Sequence, residues 1–392
     1  RHALAVGVAR VSAEEIDALN ILRATFVAMR GAARPARRGA APEPLTGGRA
    51  ARGLSSADRR EGTMSIAISD RTVPRFGAPA PLIRLFGWGV LAFLGAFLVA
   101  NVLIVGWGAP GLAALWSEGR IGAVAGVYAL AAAAVAAYVA LSPMTSLRWD
   151  AHIIHRFNLY VVRACFWAVF LIGVVDTAIA FLRTEQILAG IVGDALATQL
   201  GLSRFVGPYV HGPLILAGIV LGLFTRTLGV HWLALLTVLA ELLIVISRFG
   251  FSYEQAFMGD LVRYWYAGLF LFASAYTLHE NGHVRVDVFY AGMSTRRKGI
   301  VNAIGAVALG IGTCALILSI GLNGPSGIIN SSVRNFEVSQ VGQMGMFTKF
   351  HMAVFLAIFA VTMIVQFVSS FFEAVADMRD EPGRRESAAI QH

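Results

Sequence analysis

His279-Glu280-Asn281-Gly282-His283 spells H-E-x-x-H. On a continuous helix this spacing sets two imidazoles one turn apart on one face, where they hold zinc while the glutamate acts on the metal-bound water. The polar run continues through Val284-Arg285-Val286-Asp287, so a second constellation, His283, Arg285 and Asp287, overlaps the first. In an extended backbone those three side chains share one face and Val284, Val286 and Val288 share the other. In a helix, His283 and Asp287 fall one turn apart and can pair. Either form suits a connector lying at a membrane surface. Two lone acids, Asp176 and Glu241, sit within apolar stretches and are the other candidates for chemistry.

Three features weigh against zinc. Asn281-Gly282 is a helix-stopping dipeptide placed between the two histidines. Downstream, Asn323-Gly324-Pro325-Ser326-Gly327 supplies no acid to serve as a third ligand. Charges follow His283 at once, where a buried metal helix would continue apolar. The expectation is therefore no metal, no catalytic residue and no cofactor. The alternative of an intramembrane zinc metalloprotease rests on His279, Glu280 and His283.

These residues are positioned by a chain that is 57% hydrophobic and 14% charged, which is too little polar surface for a water-soluble fold. The reading is an all-α integral membrane protein. A net charge of +9 does not imply nucleic acid as a partner, because the basic residues form no single face. Cys165 and Cys314 lie in apolar stretches and read as packing residues.

Eight stretches are long and apolar enough, or nearly so, to cross a bilayer: 82–107, 121–141, 164–182, 205–224, 230–247, 261–279, 299–322 and 350–372. The fourth, interrupted by Pro208 and Pro213, and the sixth, with a short clean apolar run, are the weakest. With eight spans and the N-terminus inside, thirteen Lys and Arg fall on the cytoplasmic side, Arg84 and Arg148 among them, against seven opposite. That bias predicts both termini in the cytoplasm. Gly122 with Gly126, and Ala306 with Gly310, are small-residue pairs suited to close helix approach. Asp176 and Glu241 would be costly in hydrocarbon without a partner or water. Neither has a second acid or a broken helix beside it in the sequence, so a structural or interface role is favoured over a transport pathway. His152 and His155 read as loop residues, and the histidine pattern offers no pair for haem. No nucleotide-binding glycine pattern is present.

Four regions follow. Residues 1–63 hold eleven Arg and six acids and are rich in Ala, Pro and Gly towards Gly62. Ser12 to Thr25 resembles an internal stretch of bacterial ribonuclease HII without that family's catalytic acidic segments. Met64-Ser65-Ile66-Ala67 looks like an ordinary membrane-protein start, so 1–63 reads as upstream coding sequence translated in excess. Residues 64–228 form a four-span region without a readable motif, 229–376 a second four-span module, and 377–392 a cytoplasmic tail.

The second module carries a resemblance. Glu254, then Asp260-Leu261-Val262-Arg263-Tyr264 at the entrance of one span, and Gly282-His283-Val284-Arg285-Val286-Asp287 at its exit, resemble the small membrane subunit of TRAP transporters, the DctQ type. The resemblance runs from Val230 to Ala374. It implies a non-enzymatic subunit that works with a large permease subunit and a periplasmic solute-binding protein, in ion-gradient-driven uptake of an organic acid across the bacterial inner membrane. On that reading His283, Arg285, Asp287, Glu254 and Arg263 are subunit-interface or motif residues, and the substrate sites lie in other polypeptides. The four preceding spans are additional to the four of a minimal small subunit. A self-sufficient secondary carrier, working through Asp176 and Glu241, is the third reading.

Overall fold

A computed structural model describes residues 73–112, 122–226, 230–280 and 290–384, all within one compact unit, Ser69–His392. Residues 1–63, His283, Arg285, Asp287 and the second half of the C-terminal tail lie outside the described residues. The described chain is helical and has no strand; Phe76 and Thr145 form an isolated bridge.

Among the described residues, eight long helices form the bundle. They are α1 (Pro81–Trp107), α2 (Ala123–Leu141), α3 (Leu147–Thr184), α4 (Ser203–Phe224), α5 (Val230–Phe251), α6 (Ala256–His279), α7 (Thr295–Gly321) and α8 (Lys349–Met378). All but α6 are long and apolar enough to cross a membrane, so seven described helices qualify where eight were expected. The exception follows from Asp260 and Arg263, which dilute the apolar content of a 24-residue helix. Its contacts still carry it from end to end. Asp260 meets Ser339 and Met346 just before α8 begins, and His279 meets Gln366 in the later half of α8.

Helix α3 begins far earlier than its apolar run. Ser146 caps it by accepting a hydrogen bond from the Trp149 amide at 3.1 Å, and Asp150 in the first turn complements the helix dipole. Its 38 residues span about 57 Å at 1.5 Å each, well beyond a hydrocarbon core of about 30 Å. His152 and His155 are therefore helical and not in a loop. Polar composition excludes a residue from lipid, but it does not end a helix whose inward face (Leu147, Ala151, Ile154, Val162) stays apolar.

Helices α3 and α8 form the axis of the bundle, the most buried of the seven helices that qualify as spans. One core joins α1, the start of α3, the end of α7 and α8 through Leu94, Ile154, Leu318, Ile364 and Phe372. A second joins α3, α5, α6 and α8 through Phe166, Leu233, Tyr264, Phe272 and Phe355. The outer faces carry large exposed hydrophobics such as Leu130, Leu223, Phe249 and Leu309, as lipid contact requires.

Close approach is set by glycines at positions the sequence does not advertise. A Cβ on Gly218 of α4 would lie 2.6 Å from the Ala168 nitrogen of α3, and one on Gly222 would lie 3.0 Å from the Ala164 Cα. Gly218-x-x-x-Gly222 thus seats against Ala164-x-x-x-Ala168. Of the expected pairs, Gly310 does pack, against the Phe367 ring of α8, whereas Gly126 has nothing within 4 Å and Gly122 approaches only Pro110. Spacing identifies small residues, and only packing tells which of them face a neighbour.

The chain enters and leaves at one end of the bundle. Arg379 donates to the Ala78 and Pro79 carbonyls. Arg84 and Arg148, counted above as topology signals, are structural members of that end. Arg84 is fully buried in an ion pair with Asp150 at 2.6 Å and also donates to the Ser142 carbonyl. Arg148 bridges α3 to α8 through Asp377 at 2.8 Å and the Glu381 carbonyl at 3.1 Å.

Candidate functional site

Helix α4 widens where it meets Asp176. Pro213 lacks an N–H and its ring would crowd the carbonyl four residues back, so the chain widens into a π-helical turn over Gly207–His211, with the Gly212 amide bonding the Gly207 carbonyl five residues earlier. That turn ends in His211. Its Nε2 lies 3.2 Å from Asp176 Oδ1 on α3, and its Nδ1 lies 2.8 Å from His351 Nε2 on α8. With Nε2–H donated to the carboxylate, Nδ1 is left to accept from His351, which assigns one tautomer to each ring. The other Asp176 oxygen accepts the Phe347 amide at 2.7 Å. Asp176 thus has a π-widened helix beside it, and two histidines as company.

The loop entering α8 is clamped by two helices, α3 and α6. Consecutive amides, Met346 and Phe347, donate to Asp260 of α6 at 3.1 Å and to Asp176 of α3. Arg183, near the end of α3, donates to the Gln343 carbonyl at 2.8 Å and the Gly345 carbonyl at 2.7 Å, with its guanidinium 4.3 Å over the Phe347 ring. Asp260 also takes Ser339 Oγ at 3.2 Å and pairs with exposed Arg263 at 3.5 Å. Each carboxylate oxygen of Asp176 is occupied by a donor, so this network is a joint between elements. Tyr264 packs beside it, its ring 6.2 Å from that of His351, and its buried hydroxyl has no partner among the described residues.

A second polar knot lies towards the other end. Gln366 of α8 bridges two imidazoles, its Oε1 2.9 Å from His155 Nδ1 and its Nε2 3.2 Å from His279 Nδ1. The two rings stack with centroids 3.2 Å apart, and Asn158 donates to the Thr362 carbonyl at 3.0 Å. His279 therefore spends Nδ1 on an amide donor. Helix α6 ends at His279, with Glu280 as its exposed C-cap. Among the described residues no group of three or more His, Cys, Asp or Glu is placed to hold a metal ion. His283 lies outside the described residues.

Of the remaining sequence candidates, Glu254 is an exposed partner of Arg248 at 3.4 Å, beyond the end of α5. Glu241 sits halfway along α5 with its side chain outward, and among the described residues it has no hydrogen-bond or ion-pair partner. Both imidazole networks escaped the sequence reading because their members lie 35 to 211 positions apart and on different helices. The proline pair in α4, Pro208 inside the π-helical turn and Pro213 just past it, is the one local signal that could have pointed to His211.

Helices α5 to α8 follow one another in chain order, with the 260–264 stretch near the start of α6. Residues 237–377 match the family model of tripartite ATP-independent periplasmic transporters, DctQ component. This segment is similar to the DctQ family. No curated protein and no solved structure matches the chain. The DctQ segment starts within α5 and ends at the last turn of α8, so α1 to α4 precede it. It is nevertheless packed into them: Asp176 and His211 lie before the DctQ segment, and their partners Phe347 and His351 lie inside it.

Proposed function

We propose that this chain is the small membrane subunit of a TRAP-type secondary transporter, a scaffold and bilayer anchor for a large permease subunit that carries the substrate path. The observation that carries the reading is the DctQ match over 237–377, which coincides with four consecutive long helices. The complete carrier takes up an organic acid delivered by a periplasmic solute-binding protein, driven by an ion gradient and not by ATP. Both chain ends face the cytoplasm of a bacterial cell, with the basic bias of the connectors favouring that side. His283, Arg285 and Asp287 then form a cytoplasmic connector between α6 and α7, close to Arg296, Arg297 and Lys298, which meet anionic head groups. Their work is assembly, so this chain is not an enzyme.

The preceding helices fit the same role. Helix α3 supplies partners to both halves of α8, which makes α1 to α4 a buttress for the DctQ helices.

Membrane vesicles containing this chain, the large subunit and the binding protein test the proposal. Uptake of a labelled organic acid should require all three and an imposed ion gradient, and should survive removal of ATP. Arg285→Ala or Asp287→Ala should lower recovery of the large subunit with this chain before it lowers substrate affinity. Uptake by this chain reconstituted alone, or full recovery of the large subunit with transport lost, overturns the assignment.

A further inference from the structure

An ionisable side chain at mid-bilayer depth is tolerated where it faces the bundle interior, a water-filled cavity or a partner. Glu241 faces none of these within the described residues. It is the twelfth residue of the 22 in α5, about 16 Å from either end at 1.5 Å per residue, which is the middle of a span. Its side chain is exposed, and the nearest basic residue on the same side of the helix, Arg248, is committed to Glu254.

The surface around it has helical order. Val238, Glu241, Val245 and Arg248 follow spacings of three, four and three, so they form one longitudinal strip, and all four are exposed. Leu235, Leu239, Leu242 and Ile246 make a second exposed strip, wholly apolar, which lipid chains suit. The strip with a carboxylate at its centre is a poor lipid contact and a good seat for another helix that brings a polar partner.

We infer that the Val238–Glu241–Val245–Arg248 strip of α5 is the docking face for a transmembrane helix of the large permease subunit, and that this helix presents an Arg, a Lys or another multiple donor to Glu241 at mid-membrane. The inference rests on the small-subunit reading and names the contact through which it works. Charge complementarity selects the occupant. A second copy of this chain packed symmetrically on the same strip would set Glu241 against Glu241, placing like charges together in hydrocarbon. Glu254, at the end of the strip through its pair with Arg248, then lies at the rim of the contact.

Co-purification of the full chain with the co-expressed large subunit provides the test, using Glu241→Gln, Glu241→Leu, Glu241→Lys and, from the apolar strip, Leu239→Ala. All four variants are first compared with the parent for helical circular dichroism and monodisperse elution. Glu241→Gln and Glu241→Leu should weaken association about 3- to 20-fold, the span found for interhelical polar pairs in bilayers. Glu241→Lys should weaken it further, and Leu239→Ala should leave it unchanged. Recovery of Glu241→Lys equal to the parent overturns the docking face and leaves the transporter assignment standing. Failure of the parent itself to recover the large subunit overturns both. Loss of self-association in Glu241→Leu with the large subunit still bound assigns the strip to a second copy and overturns the proposed occupant.

Discussion

Replacing Asp176 by alanine should be among the most damaging single changes in the spanning region, and its cost can be worked from the contacts. The carboxylate accepts the Phe347 amide at 2.7 Å and His211 Nε2–H at 3.2 Å, and both donors are buried. Removing it strands two donors where water is scarce, at about 1–3 kcal/mol each, for a total of about 2–6 kcal/mol. Asp176→Asn keeps one acceptor oxygen and turns an NH2 towards the other donor, so about 1–3 kcal/mol is expected. In the double variant Asp176→Ala with His211→Leu, one stranded donor disappears together with its partner. Its destabilisation should therefore be smaller than the sum of the two single changes. Equilibrium unfolding in mixed micelles with rising SDS, followed by tryptophan fluorescence, reads all of these. If Asp176→Ala unfolds within about 0.5 kcal/mol of the parent, as an unremarkable surface change would, the joint between α3, α4 and α8 contributes nothing and the reasoning is wrong.

The same titration serves two more cases. Asp150→Ala leaves the Arg84 guanidinium buried without its counter-charge and should cost about 3–5 kcal/mol, whereas Arg84→Met with Asp150→Leu together should fall near the parent. Equal losses in the single and double variants would show that the ion pair itself is favourable. Gly218→Ala drives a Cβ into the Ala168 backbone and should cost about 1–3 kcal/mol, while Gly126→Ala, with open space around it, should be neutral or slightly stabilising. A reversed order of those two variants would refute the helix contact assigned to α4.

What the sequence determined by itself is what depends on local composition and spacing. Apolar runs of bilayer length announce their helices because lipid leaves the backbone no other way to satisfy its hydrogen bonds, and the 254–287 motif with its flanking spans was enough to indicate the DctQ resemblance. Helix limits outside the membrane were less legible. The first turns of α3 carry Arg148, Asp150, His152 and His155, whose polarity argues against lipid and says nothing about the Ser146 cap or the apolar face that prolong the helix. Tertiary structure alone decided which polar residues work together. Asp176 finds His211 and His351, Gln366 finds His155 and His279, and Arg84 finds Asp150, because helices distant in sequence cross at matching depth. Tertiary structure also separated the two acids that the sequence could only pair: Asp176 turns inward and is satisfied, and Glu241 turns outward. A helix fixes the angle between its side chains, but the direction of the bundle's interior is set by the neighbours that pack against it.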